Sequence, residues 1–198
     1  MIMRKTTMLL CFLAIGIVFF QKSSFAQQGG HIYIGYGVPT AHEIGDAIED
    51  IIVTTATGGI ASTANVNYSG AIFAGYRRHL TEKMEVGGTF VFENGSKDVL
   101  SESTKIGSIS TNSYAVLAEL KYNYISRERF KLHSGVGAGF AHTRVSNEDG
   151  AHTEKEKINR FAYQVDAIGV SYGRRLSISV NAGYGYKGIV NVVLAYGI

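Results

Sequence analysis

The sequence predicts an all-β chain: an eight-stranded antiparallel up-and-down transmembrane β-barrel with a short helix in its first outer loop. Three observations predict it. The last 25 residues, Arg174 to Ile198, alternate strictly, with Leu176, Ile178, Val180, Ala182, Tyr184 and Tyr186 on one face and Ser177, Ser179, Asn181, Gly183, Gly185 and Lys187 on the other. A Lys187-Gly188 break follows, and Val190, Val192, Leu194, Tyr196 and Ile198 then mark a second strand. The same period recurs upstream, and its connections alternate long and short, as in transmembrane barrels whose chain ends share the periplasmic side. Lastly, aromatic residues gather at both ends of the apolar face.

Composition agrees with β structure. Tyr 12, Phe 10, Gly 24 and Pro 1 describe an aromatic- and glycine-rich chain, and 198 residues fit one domain. Residues 1–26 stand apart. Arg4 and Lys5 precede an apolar run from Met8 to Phe20, and Ser24-Phe25-Ala26 closes it, the layout of a secretory signal peptide cut between Ala26 and Gln27. The run is too short for a comfortable spanning helix. Cys11 follows Leu10, where a lipid-attachment signal wants a small residue, and it leaves with the signal. Residues 27–198 form the barrel domain. Removing the signal takes away Arg4, Lys5 and Lys22 and no acid, leaving 16 of the 19 basic residues against 16 acidic ones. Bulk charge therefore gives no argument for nucleic acid or for an acidic substrate.

Along the domain, Ile32, Ile34 and Tyr36 alternate with Tyr33, Gly35 and Gly37 to make strand one, which Pro39 stops. Thr40, three residues before Glu43, starts a helix predicted to run to about Val53, with Ile44, Ile48, Ile51 and Ile52 on one stripe. That stripe needs a cover, and the barrel mouth or the lipid interface is expected to supply it, with a partner protein less favoured. Thr54 to Val66 reads as loop. Strand two covers Asn67 to His79, with Phe73 falling on the inward set. Strand three starts at Met84, and Asn94 to Asn112 reads as a polar outer loop. Strand four, from Tyr114 to Tyr124, and strand five, from Phe130 to Phe140, follow. Asp149-Gly150 is a hairpin dipeptide, so strands five and six can continue as a ribbon beyond the membrane. Strand six needs one bulge near Ala167 to keep Phe161, Tyr163 and Val165 in phase with Ile168, Val170 and Tyr172.

A soluble barrel would put its apolar set inside around a ligand; here the distribution of aromatics argues the reverse. Tyr36, Tyr68, Phe90, Phe92, Tyr114, Phe140, Phe161, Tyr163, Tyr184 and Tyr186 stand at the outer level, and Tyr76, Tyr122, Tyr124, Phe130, Tyr172 and Tyr196 at the periplasmic one. Amphipathic rings prefer the two membrane interfaces. The polar face then points inward. It holds Arg77, Lys121, Lys131 and Lys187 against Glu85, Glu93, Glu119 and Asp166, with His133, Gln164 and Asn181 among them. Eight strands enclose an interior that side chains can fill, so these groups are expected to pair as a plug. Arg77 and Glu85 flank one turn and should face each other; Lys121 and His133 flank the next.

The signal, the eight strands and the closing AGYGYKGIVNVVLAYGI resemble the small outer-membrane barrel family typified by the OmpA transmembrane domain and OmpX, and GYGYKG with GVSYG resembles members from Bacteroidota. The resemblance implies export, insertion by the barrel-assembly machinery, and contact with outer-membrane lipid. Members usually end in Phe, whereas Ile198 ends this chain.

No catalytic centre is expected. His42, His142, His152, Asp98 and Glu148 lie in or near outer loops without the spacing that pairs a nucleophile with an oriented base. Glu43, Asp46, Glu49 and Asp50 make the helix acidic but lack a calcium loop. Gly135, Gly137 and Gly139 fall at period two within a strand, so no nucleotide loop is read there. Neither cofactor nor metal is implied. The reading is a monomeric structural or surface-interaction barrel, whose outer loops carry any extracellular or lipopolysaccharide contact. The alternatives are a small porin-like pore and, less favoured, an outer-membrane enzyme.

Overall fold

A computed structural model of the chain describes residues 29–56, 61–101, 104–149 and 152–198. The predicted signal and its Ala26–Gln27 cleavage site lie outside the described residues. The elements are β1 Gly30–Val38, α1 Ala41–Ala56, β2 Ala61–Tyr68, β3 Ala71–His79, β4 Met84–Ser101, β5 Thr104–Ser126, β6 Phe130–Asp149, β7 His152–Gly173, β8 Leu176–Gly185 and β9 Val190–Gly197. Every pairing is antiparallel.

Eight strands close into a ring in the order β4, β3, β1, β9, β8, β7, β6, β5, with β5 returning to β4. Closure at β1 and β9 runs from His31↔Gly197 to Val38↔Val190, so the first and last strands lock each other. A closed ring leaves no edge within its wall. One rim, here the lower, carries the short turns and the Gly30–Ile198 backbone bond; the upper rim carries the helix and the long hairpins.

The two faces sort as alternation requires, apolar outward and polar inward. Ile34, Val116, Val136, Phe140, Phe161, Val180 and Leu194 are exposed on the outside, while Glu85, Glu93, Glu119, His133, Asp166 and Lys187 are buried within. The apolar core is small, with Phe73, Leu117, Val91, Tyr33 and Val193 as its larger members. The bulge falls at Ala167, where the β7–β8 register shifts between Asp166 and Ile168. A further shift, unforeseen in the sequence, lies in β5 between Asn123 and Ile125.

Several expectations need correction. Asn94 to Asn112 is a paired ribbon running from Glu93↔Ser113 to Ser101↔Thr104, with no long loop. Above the apolar belt both faces of a ribbon meet water, so its period leaves no hydrophobic trace. Part of the supposed loop Thr54 to Val66 extends α1 to Ala56, and Ala61–Tyr68 forms β2, which pairs with the upper part of β4. Strand two is therefore broken at Ser69-Gly70, where Gly70 takes a φ of +69°. Tyr186 does not continue the outer face of β8. Gly185 turns with a φ of +143°, and Tyr186 packs beside the core.

Candidate functional site

The lumen is the natural candidate, because charge buried inside a ring of strands has to be matched there. Cross-strand register brings its members together. Glu119, inward on β5, sits opposite Gly87 of β4 and Gly137 of β6, and these glycines leave room for long side chains. Lys187, from the upper turn after β8, reaches down to Glu119 Oε1 at 2.8 Å and Asp166 Oδ2 at 3.0 Å. Arg77, on β3, donates to Glu119 Oε2 at 3.0 Å and lies 3.9 Å from Glu85. Lys131 lies 3.6 Å from Glu85, which also accepts from Asn123 at 3.0 Å. One chain of opposite charges thus runs from Lys131 at the lower rim through Glu85, Arg77, Glu119 and Lys187 to Asp166.

The other predicted residues stand beside this chain. His133 faces Asn123 rather than Lys121 across the β5–β6 pair, with Lys121 opposite Gly135. Its Nε2 meets Asn181 Oδ1 at 2.8 Å. Lys121 lines two small lumen cavities of about 20 and 40 Å³. Such volumes hold one or a few waters and no hydrated solute. Glu93 is separate: it sits under the helix, accepting from the Thr40 hydroxyl at 2.7 Å.

Uncharged inward neighbours complete the network. The Tyr33 hydroxyl is 2.5 Å from Thr89 and donates to Glu119 at 2.9 Å, while the Arg77 guanidinium lies 4.5 Å from the centre of the Tyr33 ring. Gln164 donates to Asp166 at 2.8 Å and accepts from the Lys187 backbone N–H at 2.8 Å. The available signal was parity: each occupies an inward position, and an inward polar group needs a partner.

At the upper mouth the helix docks by its acidic side. Thr40 caps it, receiving the Glu43 N–H at 3.1 Å. Asp46 accepts from Tyr68 at 2.6 Å, and Asp50 pairs with Lys97 at 2.9 Å. Tyr68 is therefore a helix contact and no part of an outer girdle. The isoleucine stripe faces outward, with Ile48, Ile51 and Ile52 54%, 66% and 61% exposed. The expectation that the mouth covers this stripe fails, because the pull of Lys97 and Tyr68 on Asp50 and Asp46 sets the opposite orientation. Burial pushes the His42 imidazole below its ordinary value and raises the Glu43 carboxyl.

No family model matches the chain, and no curated protein matches it. Among solved structures, the chain is similar to Ail, the attachment invasion locus protein of Yersinia pestis. In complex with the heparin analogue sucrose octasulfate, that protein shares 17% identity, with 86% of this chain and 98% of that chain covered and a TM-score of 0.46. A second Ail structure gives 17%, 86%, 97% and 0.44. Neither match bears on the likeness of GYGYKG to members from Bacteroidota. The closed ring described above stands on this chain's own strand pairing.

Proposed function

We propose that the chain is an exported, monomeric outer-membrane barrel with a structural or surface-interaction role, its lumen plugged by the paired charges. Residues 1–26 act as the cleaved signal, and the barrel-assembly machinery inserts the rest. The observation that carries the reading is the belt of exposed apolar side chains around a closed ring with an ionised interior. Water would penalise that surface, whereas lipid would not. The upper ribbons project beyond the belt and present any binding surface. They carry both charge signs, with Arg144 opposite Lys157 and Val145 opposite Glu156, so contact with lipopolysaccharide or an extracellular partner would use mixed polar groups. The role is non-catalytic and needs no cofactor.

A second reading, a small pore, draws on the lumen cavities that share Arg77 and Lys121. Planar-bilayer recording of the purified chain separates the two. The plug predicts no reproducible single-channel steps, and a loss of unfolding stability in Glu119→Gln. Steady steps whose size changes in Glu119→Gln or Asp166→Asn would establish the pore instead.

A further inference from the structure

The lower mouth of the barrel holds a histidine pair whose facing nitrogens take no part in the charge chain. His31 on β1 is the cross-strand partner of Arg77, and His79 lies two residues further along β3, so the two histidines are diagonal neighbours on one face. Their Nε2 atoms are 3.2 Å apart, and the rings meet edge to face at 79° with centroids 5.2 Å apart. Left to themselves, two such nitrogens can share only one proton; two lone pairs or two N–H groups would repel. A metal ion removes that conflict by accepting both lone pairs. Zinc takes imidazole nitrogen at about 2.0–2.1 Å with tetrahedral angles, which sets two ligand nitrogens about 3.3 Å apart. The pair already has that bite.

The surroundings agree. His79 Nδ1 lies 3.7 Å from Glu85 Oε1, a charge contact longer than a hydrogen bond that places a carboxylate behind the imidazole. His31 Nδ1 is buried with no hydrogen-bond partner. His31, His79 and Glu82 line one opening at the lower rim, so an ion can enter from the aqueous side, and Glu82 offers an oxygen there. Lys131 lines the same opening and opposes a cation, but its ammonium is turned to Glu85. Among the described residues no group of three or more His, Cys, Asp or Glu is placed to hold an ion. Such a site has two protein nitrogens and takes its other ligands from water or from Glu82 after it swings in.

We propose that His31 and His79 form a two-imidazole site for a divalent transition-metal ion of the zinc class at the lower mouth of the barrel. The test is calorimetric titration of Zn²⁺ into the folded, detergent-solubilised chain, beside His31→Gln, His79→Gln and, as control, His142→Gln. Zinc is preferred to copper, which the Gly29-Gly30-His31 run could hold through backbone amides. The expected result is one ion per chain, with affinity falling about tenfold or more in either pair variant and unchanged in the control. Absence of saturable binding, or wild-type affinity in a pair variant, would overturn the proposal. Should a variant fail to fold, imidazole ¹⁵N spectra of the unaltered chain decide: zinc must shift both rings, and a shift of neither or of one alone contradicts the pair.

Discussion

Lys187 shows most clearly how single residues hold this molecule. The residue is 2% exposed, and its ammonium serves two carboxylates, Glu119 and Asp166, from a turn rather than from a strand. Removing one partner of a buried pair leaves uncompensated charge and costs about 3–5 kcal/mol. Lys187→Met should therefore lower unfolding stability by about that amount in urea titrations in detergent, and a loss below about 1 kcal/mol would mean that water screens the site. His42 carries a different prediction. Burial depresses its folded pKa below the ordinary 6.5, so its contribution to docking the helix is present above that value. It is lost as pH falls toward the depressed folded value. Amide protection factors in Ala41–Ala56 should fall as pH drops below about 6.5, and His42→Gln should remove the histidine's share of that fall.

At the scale of elements, the helix is held by polar contacts and wears its apolar side outward. Ile51→Ser and Ile52→Ser should each change stability by no more than about 0.5 kcal/mol, since neither side chain is buried. A loss of about 2 kcal/mol would show that something covers the stripe. The sequence carried the strands well wherever one face meets an apolar environment. From Tyr114 to Tyr124 and from Leu176 to Tyr184, period two is visible because the two sides differ in solvent. Above the belt it vanishes, and Asn94–Ser101 and Thr104–Asn112 look like loop although they pair along their length, with one bulge at Ile106. Helix orientation was hidden for a related reason. Amphipathy marks two faces, and only the tertiary partners Lys97, Tyr68 and Glu93 decide which is turned inward. The inward placement of the charged residues was legible by parity, but which of them pair was not. Lys187 reaches Glu119 across 68 residues of sequence, and Glu93 bonds the Thr40 cap of the helix rather than another lumen charge.

For the whole molecule, closure is the claim on which the rest depends. Without the β1–β9 pairing the polar lumen would open to its surroundings and the buried charges would lose their enclosure. Closure also explains why so small an apolar core suffices: backbone pairing around the ring and the interior ion pairs take the place of a packed centre. The most direct test compares the electrophoretic mobility of the outer-membrane fraction in SDS, unheated and boiled. A closed barrel with no free edge in its wall should resist SDS until heated, so the unheated band should run apart from the boiled one. A chain found only in the soluble periplasm, with a single band unaffected by boiling, would contradict the lipid-facing barrel.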